Sequence, residues 1–90
     1  MAINITKGGL RHAWNRHRIT EEDITKGMDS GISEACLDKS NMSIVIFTKN
    51  NLCICIDYIT RNLNTAFVPN STYNSFMHDK CKQIKRGNSQ

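Results

Sequence analysis

The sequence predicts a small α+β fold: N-terminal helices packed on an antiparallel β-meander of three to four strands, with a further helix at the C-terminal end. Three observations predict it. Helical periodicity fills residues 10–18 and 21–29. Two β-branched runs, residues 43–48 and 52–59, flank the asparagine-containing turn 49–51, which is the pattern of a hairpin. Ninety residues are near the size at which one core suffices, so residues 1–90 are expected to form a single domain with a frayed tail at about 87–90.

Taken in order, residues 1–7 alternate Ile3 and Ile5 against Asn4 and Thr6, a short strand or arm that Gly8-Gly9 is expected to break. A helix over 10–18 follows. Thr20 is a good N-cap, and Asp23 three residues on completes a capping box with the shorter acid. Glu21, Glu22 and Asp23 then suit the positive end of a second helix, which Ser30-Gly31 ends. Residues 32–37 read as a first strand, and Asp38-Lys39-Ser40-Asn41 as a turn. In the run 52–59, Leu52, Ile54, Ile56 and Tyr58 share one face, and Cys53, Cys55, Asp57 and Ile59 the other. A turn at 61–64 leads to a last strand over 65–68, stopped by Pro69. Phe76, Met77, Lys80, Cys81 and Ile84 recur at helical spacing and predict the C-terminal helix over 75–86.

With 39% hydrophobic and 22% charged residues the chain falls in the globular range. A net charge of +4 favours a nucleic acid, an acidic protein or an anionic surface as partner. Cysteines at 36, 53, 55 and 81 lack the paired knuckles of a structural zinc site, so no metal and no cofactor are expected. Cys53 and Cys55 leave one face of a strand and do not easily bond to each other. Reduced cysteines are the expectation. No apolar run approaches the length of a membrane span, and the first residues lack a secretory pattern.

The chemistry concentrates in residues 11–18, which hold two of the three histidines, three arginines and the only tryptophan. At about 100° per residue, Ala13, His17, Leu10 and Trp14 fall in a sector about 100° wide, and Arg11, His12, Asn15, Arg16 and Arg18 share the rest. Metal-free RNA cleavage needs a base for the 2′-hydroxyl, an acid for the leaving 5′-oxygen and a cation for the phosphoryl charge. Histidine and arginine fit those roles. Trp14, Tyr58 and Tyr73 are candidates to stack on splayed bases. Bland readings stand beside these. His17 sits mid-sector, where a hydrogen-bonded core histidine is as natural as a catalyst. Trp14 beside Leu10 suits a core, the arginines suit a solvated face, and His78 beside Asp79 suits the surface. Asp57 either orients a histidine or faces solvent, and Thr65 either meets a phosphate or is an ordinary strand threonine. His12 and His17 lie about 140° apart on a helix, so they share a cleft only if the helix ends between them.

His12-Ala13, then Arg16, then Ile19-Thr20-Glu21-Glu22-Asp23-Ile24, followed by a compact meander, resembles the barnase, EndoU, colicin and RelE-like superfamily of ribonucleases, including toxin domains of contact-dependent inhibition systems. The resemblance covers residues 8–68 by pattern. It implies that His12 matches the family's helix histidine, Arg16 its phosphate-binding arginine and Thr65 the hydroxyl residue of the late strand. The stretch between the histidine and the isoleucine-threonine cap is about one turn shorter than the commoner pattern, and His17 stands where an apolar residue is usual.

The expected function is therefore that of a metal-independent ribonuclease toxin cleaving tRNA or mRNA to a cyclic phosphate. His12 and His17 are its acid–base pair, Arg16 its clamp and Thr65 a phosphate contact. Lys7, Arg11, Trp14, Arg18, Arg61 and Tyr58 are expected to bind RNA. An acidic immunity or antitoxin protein is the expected partner. The expected location is the cytoplasm, including that of a target cell after delivery. Two other classes fit the composition: a small inhibitor or anti-defence protein that binds a partner protein, and a non-cleaving RNA-binding module.

Overall fold

The computed structural model describes residues 3–70. The expected helix over 75–86 and the tail lie outside the described residues. Within them the order is α1 (Lys7–His17), α2 (Glu21–Ser30), β1 (Ile32–Asp38), β2 (Ser43–Thr48), β3 (Cys53–Asp57) and β4 (Leu63–Phe67). The four strands form one antiparallel sheet in the order β1-β2-β3-β4, so the meander is complete. The α+β expectation holds.

Thr6, not Gly9, opens the first helix. Its hydroxyl accepts the Gly9 N–H at 3.1 Å as an N-cap, and Gly8 and Gly9 fall inside the first turn rather than breaking the chain. The reason lies across the molecule. A β-carbon on Gly9 would collide with the carbonyl of Leu63, so only glycine allows α1 to lie this close to β4. The Thr6 hydroxyl also donates to that carbonyl at 3.4 Å. Just before it, the Asn4 N–H donates to Arg61 O at 2.9 Å and the Leu63 N–H to Asn4 O at 2.8 Å, which pins the N-terminal arm to the β3–β4 turn.

Thr20 caps α2 as expected, with both halves of the capping box made: the Asp23 N–H donates to the Thr20 hydroxyl at 3.2 Å, and the Thr20 N–H to the Asp23 carboxylate at 3.0 Å. Ile24 and Gly27 face inward. The two helices cover one face of the sheet through Ala13, Ile19 and Ile24, packed on Ile44, Ile46, Ile54, Ile56, Leu63 and Ala66. Strand alternation sends Cys36, Val45, Phe47 and Cys53 to the other face, where they form a second buried cluster with Cys55 and Phe67 beside it.

Three expectations at the sheet change. The third strand stops at Asp57, and Tyr58 enters the turn, because the Asp57 carboxylate accepts the N–H groups of Ile59 and Thr60, both at 2.8 Å. The last strand starts at Leu63 rather than Thr65, with a register shift between Cys55 and Ile56 that brings both Leu63 and Ala66 to the helix side. Cys36 is disulfide-bonded, which overturns the expectation of reduced cysteines at that position, whereas Cys53 and Cys55 are thiols.

Gly9→Ala should cost about 1–3 kcal/mol of stability in chemical denaturation, as an overpacked contact with backbone does. Gly8→Ala, where an added β-carbon meets nothing, should be stabilising by a few tenths to about 1 kcal/mol. Acid should act through Asp23 and Asp57. Hydrogen bonds from Thr20 to the first, and from Thr60 and Ile59 to the second, hold both carboxyls below the usual range. A carboxyl whose folded-state value is lowered stabilises the fold above its unfolded value, so this contribution is intact above about pH 4 and fades as the pH falls below it. Denaturation midpoints measured from pH 6 down to pH 2.5 should show that loss, with a shallower slope in Asp23→Asn and Asp57→Asn.

Candidate active site

The site grows from the last two turns of α1. Gly9 and Ala13, four apart, are its buried stripe, and His12, Arg16 and His17 flank that stripe and are exposed. His12 and Arg16 are also four apart, so they are neighbours along one edge of the helix. His17 is the final helical residue and sits on the other side of the stripe. Side chains on a helix lean back over the preceding turn. That lean brings its ring to 6.4 Å from the His12 ring, centroid to centroid, with 67° between the planes. On its other side the His17 ring meets Phe67 of β4 at 5.2 Å. The two imidazoles therefore stand together although the helix does not end between them: α1 runs through both, and the backward lean of His17 closes the gap that their separation around the helix would leave. His17 is not a core histidine.

The apolar sector drawn from the sequence is displaced. Trp14 is 47% exposed, because the helix turns its glycine and alanine to the sheet instead. Arg18 lies over the Trp14 ring, its guanidinium carbon 5.1 Å from the centroid. At the other end of the helix, in the β3–β4 turn, Arg61 lies over the exposed Tyr58 ring at 6.0 Å. Both arginines adopt the left-handed backbone region, with φ of 58° and 65°. Glycine would take that conformation at lower cost, and strained non-glycine residues of this kind cluster at functional sites. Lys7 and Arg11 are exposed on the same helix, and no acidic residue interrupts residues 7–18. Three acids instead crowd the first turn of α2.

Thr65 lies two residues before Phe67 and shares its strand face, but its Oγ1 is buried and has no hydrogen-bond partner among the described residues. It opposes Cys55 in the β3–β4 register, on the face away from the core that α1 covers. Its hydroxyl is thus not presented with the exposed imidazoles. Asp57 holds its own turn and orients no histidine. Two cavities, of about 180 and 220 Å³, lie elsewhere, one between Ile3 and Met28, the other between Ile19 and Asn50. The imidazole pair belongs to an open surface.

Sequence reasoning named the cluster but missed Phe67, whose partnership with His17 depends on how α1 lies along β4. It placed Cys53 and Cys55 on one strand face without a disulfide between them, as the structure has them. The Cys53 S–H donates to the Cys55 sulfur and draws the Cys55 thiol down, against the opposing effects of burial and the Asp38 carboxylate. No described helix is long and apolar enough to cross a membrane. Compared with protein-family models, curated proteins and solved structures, the chain matches none of them.

Replacing Arg18 or Arg61 by glycine should relieve the left-handed backbone and leave thermal stability equal or higher. If the basic ridge binds RNA, as the sequence leads one to expect, the same variants should lose affinity for single-stranded RNA in a fluorescence titration, and the loss should shrink as salt rises. A stability loss with unchanged affinity would assign both arginines to the fold alone.

Proposed function

We propose that the chain is a metal-independent ribonuclease toxin of the barnase, EndoU, colicin and RelE-like kind, which cleaves RNA through attack of a 2′-hydroxyl on the adjacent phosphate and leaves a cyclic phosphate. The observation that carries this reading is the pair of exposed imidazoles 6.4 Å apart, with Arg16 on the next turn beside His12. Each acid or base must come within about 2.6–3.2 Å of its own oxygen, and those oxygens lie on opposite sides of one phosphorus. Two rings serving one phosphate therefore stand several ångströms apart, as these do. One imidazole takes the 2′-hydroxyl proton, the other gives a proton to the leaving 5′-oxygen, and the Arg16 guanidinium binds the phosphoryl oxygens as charge develops on them. Phe67 braces the His17 ring.

Lys7, Arg11 and Arg18 supply backbone charge, and Trp14 and Tyr58 offer ring faces to unpaired bases. The buried Thr65 hydroxyl joins the site only if the strand opens, so its role as a phosphate contact is secondary here. A basic helix without acids is also a fitting target for an acidic immunity protein. The disulfide at Cys36 suits a chain that matures in an oxidising compartment before reaching the cytoplasm where RNA is found, which favours a delivered toxin over a resident protein. The second reading, a non-cleaving RNA-binding module, draws on the open surface around the imidazoles.

Incubation with total RNA in the presence of a chelator tests the two. Cleavage products ending in a cyclic phosphate are expected, and His12→Ala and His17→Ala should each slow the reaction about 10²- to 10⁴-fold while keeping the native circular dichroism. Undiminished cleavage in both variants would remove the acid–base pair. RNA that is shifted on a gel yet intact would leave the binding module.

A further inference from the structure

We propose that the cavity between α2 and the β2–β3 turn is a subsite for one nucleobase, adenine in preference to the others, carried by a nucleotide next to the phosphate that His12 and His17 serve. The proposal deepens the ribonuclease reading and rests on it for the role of that nucleotide in the reaction.

Position comes first. The cavity measures about 220 Å³. Sites for drug-sized ligands run from about 300 to 1,000 Å³, so this one suits a single planar fragment. It shares no residue with the imidazole pair, yet it adjoins their surroundings at two points of the chain. Ile19, in its wall, follows His17 by two residues, at most about 7 Å of backbone. Val68, also in its wall, follows Phe67, which the His17 ring touches. Val68 is 64% exposed, so the rim on that side faces solvent.

Chemistry then selects the occupant. A nucleobase has two apolar faces and an edge on which donors stand beside acceptors. Ile19, Leu52 and Val68 supply apolar walls, and Asp23, Asn50 and Asn51 supply partners for the edge. A phosphate group would be repelled by the Asp23 carboxylate. An aliphatic group would strip water from the polar groups and return no hydrogen bond.

Each polar group has a defined share of the edge. Thr20 engages one oxygen of the Asp23 carboxylate through its N–H and its hydroxyl, both at 3.0 Å, and the other oxygen accepts no hydrogen bond among the described residues. That oxygen suits an exocyclic amino group. The Thr48 hydroxyl donates to the Asn50 side-chain oxygen, which leaves the Asn50 amino group as a donor. Asn51 offers a donor beside an acceptor, the arrangement that pairs with N6 and N7 of adenine. Lys26, a residue type that pairs with guanine, is held by Glu22 at 3.1 Å. Guanine and uracil present a carbonyl oxygen where adenine has its amino group, and the carboxylate would repel it. Cytosine has the amino group but lacks N7.

The walls are already in place. The Asn50 N–H donates to Ser30 Oγ at 3.2 Å and the Lys49 N–H to Gly31 O at 2.8 Å, which fastens the turn to the end of α2. A β-carbon on Gly27 would stand 2.9 Å from the Leu52 side chain, so helix and turn are in close contact beside the cavity. A site that needs no rearrangement loses little affinity to ordering.

Binding and cleavage by the whole chain test the subsite separately. Titration with dinucleotides whose riboses are 2′-O-methylated, and so lack the attacking hydroxyl, is read by backbone amide chemical shifts, with adenine placed in turn on either side of the phosphate. Adenine on one side should move the signals of Ile19, Asn51, Leu52 and Val68 and bind about tenfold tighter than uracil there. Asn51→Gly keeps the left-handed backbone at φ 70° and should bring the two affinities together in a chain with native circular dichroism. In cleavage of unmodified RNA the same adenine should raise kcat/KM about tenfold, chiefly through KM, and Asn51→Gly should remove that advantage. Absence of base-dependent shifts at these four residues, equal affinity for all bases, or a preference that survives Asn51→Gly overturns the subsite. Base-dependent shifts in a chain that cleaves no RNA support the subsite and remove the ribonuclease, whereas cleavage at equal rates whatever the flanking base keeps the ribonuclease and overturns the subsite.

Discussion

The structure depends on how closely α1 approaches β4. Gly9 lies against the Leu63 carbonyl with no room for a β-carbon, and Thr6, capping the same helix, also bonds that carbonyl. This contact sets the height of the helix over an edge strand and the direction in which it runs along it. Ala13, one turn on, then falls on the core, and His17, a turn further, reaches Phe67 at the far end of β4. Helix docking by close backbone approach leaves little apolar area to the helix itself. Its other positions are therefore available for charge and rings, and α1 is an exposed basic ridge rather than a conventional amphipathic helix.

The electrostatics follow the same division. α1 has no acid in its first turn and carries Arg16 and His17 in its last, where cations oppose the negative end of the helix dipole. α2 reverses the arrangement, with Glu21, Glu22 and Asp23 at its positive end. Each helix is stabilised by its own charge pattern, and Lys26 pairs with Glu22 one turn away on α2. An exposed pair of that kind contributes little. The order of charge along the chain shapes the surface more than the folding free energy.

The sheet separates two chemistries. Its helix side is aliphatic, built from Ile44, Ile46, Ile54, Ile56, Leu63 and Ala66, and only transmits the position of α1. Its other side holds the sulfur chemistry, with Cys36 of β1 and Cys53 and Cys55 of β3 on one surface beside Phe47 and Phe67. Among the described residues, Phe67 belongs to both regions, packing near the thiols and touching His17. The imidazoles and the thiols are therefore neighbours through a single strand end, though they face different surroundings.

Local features were legible in the sequence wherever the deciding interaction is local. Thr20 with Asp23 specifies a helix start within four residues, the alternation around Lys49–Asn51 specifies a hairpin, and the cluster of His12, Arg16 and His17 is visible as composition. Tertiary structure decided what depends on residues far apart: that Gly8 and Gly9 lie inside a helix, that Trp14 faces outward, that β4 begins at Leu63, and that the Thr65 hydroxyl is buried opposite Cys55. Periodicity says which residues share a face but not which face meets the sheet. Here a steric fact about one glycine and one distant carbonyl sets that rotation, and the same rotation brings the ring of His17, at the end of its helix, against Phe67 of β4.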